Sequence, residues 1–136
     1  MYIHPSVQVI TSALVRVIGV GRAMEVRGIS VELLAIEVRA DGAIVYWRAT
    51  TVDDQVLWGA DVVLSDDRGT NYRSLDGTSE GNSVRWAGQS FHMPAPPRGA
   101  RLHVELTAFG PQPDHEVPRG QSKQQIAGPW FFDVDI

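Results

Sequence analysis

Residues 101–108 read RLHVELTA, and apolar and polar side chains alternate along the whole stretch. A period of two is typical of a β-strand that has one face in a hydrophobic core and the other in water. Residues 130–136 read WFFDVDI and alternate in the same way, with Trp130, Phe132 and Val134 on the predicted inner face. Both stretches predict strands of an antiparallel sheet that is buried on one side.

The segment 29–38 also alternates, but it changes phase near Leu33–Leu34, which predicts a β-bulge. The pair Asp41-Gly42 comes next and is a strong signal for a hairpin turn. The return strand, residues 43–52, contains Trp47. A buried Trp in an early central strand is typical of immunoglobulin-like domains.

The rest of the chain contains further short strand patterns and no window with helical spacing of apolar residues. We predict strands at 7–9 and 14–20, a second hairpin from a strand at 61–65 and its return at 70–74, a loop at 75–82, and short strands at 84–86 and 90–93. Eight or nine short strands joined by Gly, Pro and Asp turns favour an all-β fold, an antiparallel immunoglobulin-like β-sandwich, over a small barrel. A length of 136 residues fits a single domain that covers 1–136.

Composition disfavours several classes of partner. The net charge of −4 and the pI near 5.5 argue against nucleic acid, because a protein that binds the phosphate backbone needs a basic face. Residues 1–5 lack the basic region of an export signal, and Arg16 interrupts the apolar run 7–20, so we expect no membrane insertion. The chain has no cysteine, which excludes thiolate metal sites and favours a cytoplasmic location.

Three short stretches carry a resemblance to a known group of proteins. Residues 27–33 (RGISVEL), 64–72 (LSDDRGTNY) and 128–134 (GPWFFDV) resemble uncharacterised bacterial immunoglobulin-like sandwich domains. The resemblance implies the fold and a role as an accessory or interaction module, often outside the membrane behind a signal or anchor. It carries no functional residue to this chain.

A candidate polar site lies on the outer face of the strand at 101–108. His103 and Glu105 are about 7 Å apart there, and with help from another strand they could share a metal or act as a base pair. The alternative is a solvated outer sheet face, which antiparallel sheets commonly have. His92 on the adjacent strand would strengthen the metal interpretation.

Other chemical signatures are weak. The predicted acidic turns could pool carboxylates into a calcium site, but Asp also favours turns for its own local hydrogen bonds. No nucleophile motif accompanies the Ser, His and Asp residues, and Gly19-Val20-Gly21 lacks the third glycine and the helix of a phosphate loop. We therefore expect no enzyme activity, no cofactor and no metal. The acidic turns are Asp53-Asp54, Asp66-Asp67 and Asp76.

Apolar side chains outside the predicted core are the candidates for contact with a partner. Phe131 points away from the core face of the last strand, and Leu57 and Trp58 lie in a connection between strands. Each could anchor a partner protein or stack on a sugar ring, unless other parts of the chain cover it. His115 and Glu116 lie in the long connection between strands, where we expect contact rather than catalysis.

Three functions follow from these candidates. The first is a non-catalytic module that contacts a protein partner or self-associates, with Phe131 in the contact. The second is a carbohydrate or small-ligand binder that uses Trp58 or another aromatic residue. The third, the least expected, is a metal-dependent hydrolase on the face that holds His103 and Glu105.

Overall fold

The computed structural model describes residues 13–51, 59–81, 84–92, 94–110 and 126–136. Within these ranges the regular structure consists of eight strands in two antiparallel sheets, which confirms the predicted all-β sandwich. The five-stranded sheet has the order β1-β2-β3-β6-β5, and the three-stranded sheet has the order β4-β7-β8. The strands are β1 (Leu14–Val26), β2 (Ile29–Arg39), β3 (Gly42–Thr51), β4 (Ala60–Asp66), β5 (Arg73–Gly81), β6 (Val84–His92), β7 (Arg101–Phe109) and β8 (Ile126–Asp135).

The hydrophobic core lies between the two sheets and contains the inward-facing residues predicted from the alternation. Phe109 packs edge-on against both Trp47 and Trp130, with ring centroids 5.5 and 5.0 Å away. Trp130 is fully buried, and its indole N–H donates a hydrogen bond of 2.9 Å to the carbonyl of Ile29. Because β8 and β2 belong to different sheets, this bond joins the two halves of the sandwich.

The first hairpin and its bulge confirm the sequence prediction. β2 and β3 pair from Arg39–Gly42 outward, so the turn falls at Ala40–Asp41. The register of this pair shifts between Leu33 and Ala35, where the apolar pattern changes phase.

The predicted second hairpin is confirmed for the strand at 61–65 and for the turn after it, but the return strand predicted at 70–74 is wrong. β4 and the segment after its turn share only the bridge between Ser65 and Asn71, after which the chain crosses to the other sheet. The predicted loop at 75–82 is instead largely strand β5, which pairs with β6. The physical reason is that β5 is an edge strand, whose polar and glycine-rich sequence gives no apolar alternation.

Three smaller predictions also change. The short strands predicted at 84–86 and 90–93 are one continuous strand, β6, and β1 runs through Gly19 and Gly21 with a register shift between Gly19 and Arg22. In β7 the register shifts between Leu106 and Ala108, so Phe109 enters the core while Ala108 stays half-buried. The strand predicted at 7–9 lies outside the described residues.

Side chains of β1 close the open edge of β8. Three arginines of β1 and its following turn donate hydrogen bonds to backbone carbonyls in or next to β8, and a methionine sulfur accepts one from a backbone N–H of β8. These groups are therefore not open to a further strand, although β8 is an edge strand. The bonds run from Arg16 to the carbonyl of Ile136 (3.4 Å), from Arg22 to that of Asp133, from Arg27 to that of Ala127 (3.1 Å), and from the N–H of Phe131 to Met24 Sδ (3.5 Å).

The hydrogen bond between Trp130 and Ile29 gives a prediction on stability. Trp130→Phe removes the only N–H that the indole offers and leaves a small gap, so the free energy of unfolding should fall by about 1–3 kcal/mol. Trp86→Phe is the matched control, because Trp86 is 49% exposed and its loss should change the free energy by about 0.5 kcal/mol or less. Urea unfolding of both variants measures the difference, and equal effects would contradict the structural role of Trp130.

Candidate functional site

The outer face of β7 and β8 carries the polar row predicted from the sequence. Across the strand pair, Arg101 lies opposite Asp135 and His103 lies opposite Asp133. Arg101 Nε is 2.8 Å from Asp135 Oδ1, and His103 Nδ1 is 2.9 Å from Asp133 Oδ1. The second ring nitrogen of His103 is 3.3 Å from Glu105 Oε1 on the same strand. The imidazole therefore sits between two carboxylates.

These carboxylates change the acid–base behaviour of His103. The hydrogen bond to Asp133 raises the pKa of His103 above 6.5, partial burial opposes this increase, and Glu105 adds to it. Folding therefore favours the imidazolium form relative to the unfolded chain, because the charged ring can donate a hydrogen bond to each carboxylate.

Phe131 lies beside this histidine and is exposed, as the alternation predicted. Its side chain is 44% exposed, and its ring stacks on that of His103 with centroids 6.0 Å apart and planes at 30°. Glu105 pairs with Phe131 on one side and with Val63 of β4 on the other, and Val63 is 47% exposed. Two exposed apolar side chains thus lie about 10 Å apart in one cross-strand row. We name Val63, His103, Glu105, Phe131 and Asp133 the Phe131 face.

The arrangement at His103 differs from the metal site considered above. Both ring nitrogens of His103 face carboxylates directly, and the described residues contain no group of three His, Asp, Glu or Cys side chains suited to a metal ion. His92 lies on β6 in the other sheet, so the condition that would have strengthened the metal interpretation is not met.

The described acidic turn holds the backbone in place. Asp66 Oδ1 accepts hydrogen bonds of 2.9 Å from the backbone N–H groups of Arg68 and Thr70, and Asp66 Oδ2 accepts one from the Tyr72 hydroxyl. Burial raises the pKa of Asp66, but the bonds from Tyr72 and the two N–H groups outweigh this effect and lower it. The turn carboxylate is therefore used within the fold.

The remaining turn carboxylates divide into two groups. Asp67 Oδ1 accepts a hydrogen bond of 3.0 Å from the N–H of Arg101, which joins the turn to the start of β7. Asp53-Asp54 lie outside the described residues, as does the side chain of Asp76.

Of the contact candidates chosen from the sequence, the structure describes Phe131. Leu57, Trp58, His115 and Glu116 lie outside the described residues, so their contact roles stay predictions. The candidate site therefore centres on Phe131.

Sequence reasoning missed a second exposed aromatic residue, Trp86, on the outer face of the five-stranded sheet. The Arg48 guanidinium carbon lies 5.1 Å from the centroid of the Trp86 ring, and Glu32 Oε1 accepts a bond of 2.7 Å from Arg48. The sequence predicts a strand at 84–86, but three residues are too few for the alternation of apolar and polar side chains to indicate which of them face the core.

Comparison with known proteins supports the all-β fold and gives no information on function. No family model matches the chain, and no curated protein matches it. The fold is similar to the crystal structure of a conserved domain protein from Bacillus anthracis, with a TM-score of 0.54 and 14% sequence identity. The match covers 88% of this chain and 47% of that one, so this chain spans about half its length.

The structure also bears on the expectation of no membrane insertion. None of the described residues form a helix with the length and hydrophobicity of a membrane span.

The environment of His103 predicts a pH-dependent stability. Because its pKa is raised on folding, its contribution is fully present below the unfolded value of 6.5 and is lost as pH rises through the folded value. The difference in unfolding free energy between the wild type and His103→Asn should therefore be larger near about pH 5.5 than near about pH 9, by about 1 kcal/mol or less at this half-exposed site.

An NMR titration of the imidazole tests the cause directly. Asp133→Asn should lower the titration midpoint of His103, because it removes the carboxylate with the largest effect. A wild-type midpoint at or below 6.5 would contradict the prediction.

Proposed function

We propose that the chain is a non-catalytic, immunoglobulin-like β-sandwich module that binds another protein through the Phe131 face. The observation that carries the proposal is the exposure of Phe131 in a regular strand, where its ring is held against His103. A cytoplasmic location, expected from the sequence, is part of the same proposal.

The topology supports the immunoglobulin-like class. In a constant-type immunoglobulin domain, strands A-B-E-D form one sheet and strands C-F-G form the other. The order β2-β3-β6-β5 matches A-B-E-D, and the order β4-β7-β8 matches C-F-G, with β1 added beside the first strand. One departure is that Trp47 lies on β3, which corresponds to strand B, whereas the immunoglobulin Trp lies on strand C.

The composition of the Phe131 face supports a protein contact. Interfaces commonly have aromatic anchors at their centre and a polar, charged rim. Here Phe131 and Val63 are the exposed apolar groups, and Glu105 and Asp133 surround them together with His103. Stacking on His103 restricts the Phe131 ring before binding, so less side-chain entropy is lost when a partner covers it.

The contact is proposed on the side-chain face of β8 rather than along its backbone edge. Strand addition needs free N–H and C=O groups along the edge. The side chains of Arg16, Arg22, Arg27 and Met24 already occupy such groups. A partner that packs on Phe131 and Val63 leaves these bonds intact.

The non-catalytic part of the proposal has its own support. His103 is the described histidine next to acidic side chains on this face, and both of its ring nitrogens already contact carboxylates. A general base needs a free nitrogen within hydrogen-bond reach of its substrate.

Phe131→Glu tests the proposal. A charge at the centre of a desolvated contact should weaken association by about 30-fold or more, the range of a hot-spot residue. Native mass spectrometry of untagged protein from its own host cells measures the assembly, and it separates a co-purifying partner from self-association. Trp86→Glu is the control, because Trp86 is equally exposed but lies on the other sheet.

Circular dichroism establishes that both variants are folded. An assembly that survives Phe131→Glu would refute the placement, and so would an equal loss from Trp86→Glu.

The second candidate function, binding of a small ligand or carbohydrate, is favoured by a different observation. An open cleft lies at the far edge of the sandwich, between β4 and β5, and Phe131 is not among its lining residues. The two functions are distinguishable, because Phe131→Glu should leave ligand binding at that edge unchanged.

A further inference from the structure

The described residues leave a gap between the two sheets at the edge formed by β4 and β5. A cleft of about 370 Å³ opens there between the two sheets. This volume is at the small end of the range of about 300–1,000 Å³ typical of ligand pockets. Its described wall includes Trp47 of β3, Ala60 and Val62 of β4, Gly77 of β5, and Ala87 and Gln89 of β6.

The residues at inward-facing positions explain why the interior is open here. Ala87 pairs with the buried Trp47, and Gln89 pairs with the buried Val45 on one side and with Gly77 on the other. These positions therefore lie on the core side of the five-stranded sheet. Most core positions hold large apolar side chains, whereas these hold Ala, Gln and Gly. Protein interiors are otherwise close-packed, so this gap follows from the sequence itself.

Polar groups line the gap in a fixed arrangement. The Gln89 amide donates a hydrogen bond of 2.6 Å to Ser74 Oγ, and both residues line the cleft. A Cβ atom at position 77 would lie 2.1 Å from Gln89 Oε1, so only glycine leaves room for the amide in this position. Ser74 therefore holds the Gln89 amide at the wall, and the glycine at position 77 leaves the space that the amide occupies.

One buried donor at the cleft has no acceptor in the described part of the chain. Trp47 is 2% exposed, and its Nε1 has no hydrogen-bond partner. Leaving a buried N–H without a partner costs about 1–3 kcal/mol. The Nε1 atom is itself shielded from solvent, so the Trp47 indole contributes a wall to the cleft and not a hydrogen-bond donor.

The charge of the wall limits the class of ligand. Asp61 is the acidic residue among the described lining residues, and none of them is Lys or Arg. Among the described lining residues, an anionic ligand such as a phosphate ester would meet a carboxylate and no cation to balance it. A neutral molecule with several hydroxyl groups matches the wall, because it both accepts from N–H groups and donates to a carboxylate.

We propose that this cleft binds a small neutral molecule rich in hydroxyl groups, of the size of a mono- or disaccharide. Gln89 and Ser74 bind its hydroxyl groups, the Trp47 indole packs against it, and Asp61 accepts a hydrogen bond at the mouth. The proposal does not rest on the Phe131 face, because Phe131 and His103 lie on β8 and β7 and none of the five residues of that face lines the cleft.

NMR titration of the isotope-labelled protein tests the proposal. The probes are glucose, galactose, N-acetylglucosamine and maltose, with glucose 6-phosphate as the charged comparison. At least one neutral sugar should shift the indole N–H signal of Trp47 and the side-chain amide signals of Gln89, while the Trp86 indole signal stays unchanged. If no neutral sugar moves the Trp47 and Gln89 signals, or if glucose 6-phosphate moves them more, the proposal is overturned.

Three variants separate binding in the cleft from binding elsewhere. Gln89→Leu keeps the size of the side chain but removes the amide, and it should weaken binding of the responding sugar by about tenfold. Ala87→Leu should abolish binding by filling the gap, and Gly77→Ala should weaken it by displacing the Gln89 amide.

Ala23→Leu is the matched control, because Ala23 is exposed on β1 at the other edge of the same sheet. If Gln89→Leu and Ala23→Leu bind the sugar as tightly as the wild type, the cleft is not the site. This comparison holds even if Ala87→Leu fails to fold.

Discussion

The hydrogen bond from the Trp130 indole to the carbonyl of Ile29 is the contact on which the rest of the sandwich depends. A β-sandwich is held mainly by apolar packing, which has little directional preference. A buried N–H that finds its acceptor on the opposite sheet fixes how the two sheets lie relative to each other. Phe109 packs edge-on against Trp130 and Trp47, and so it extends this fixed point across the core.

The position of Trp130 also determines what the neighbouring residue does. In a strand, successive side chains point to opposite faces, so the burial of Trp130 and Phe132 directs Phe131 outward. Arg22 of β1 and Arg27 of the turn after it donate hydrogen bonds to backbone carbonyls of β8, along the edge of β8 that does not pair with β7. The exposure of Phe131 thus follows from the burial of its two neighbours in the core.

Much of this fold is readable from the sequence, because the strands with one buried face alternate clearly. The strands β7 and β8, the hairpin at Asp41-Gly42 and the bulge at Leu33–Leu34 were all predicted in this way. β5 was missed because it is an exposed edge strand, where no core selects for apolar residues at alternate positions.

The candidate sites were predictable only in part, because they depend on pairings between distant strands. The outward direction of His103 and Phe131 follows from alternation within their own strands. Their contact with each other, and the placement of Val63 in the same row, follow from the register of β4, β7 and β8. The cleft beside Trp47 depends on which strand pairs with β6, and the edge strand that decides this was predicted as a loop.

The hydrogen bonds between β1 and β8 differ in their acceptors from the hydrogen bonds of the Phe131 face. The bonds of Arg16, Arg22 and Arg27 end on backbone carbonyls and the N–H of Phe131 donates to the Met24 sulfur, whereas the bonds of His103 end on carboxylates. Protonation of the His103 imidazole, whose pKa is raised by its hydrogen bond to Asp133, adds a positive charge beside the Phe131 ring. The surface proposed for partner contact therefore carries a charge that depends on the proton concentration.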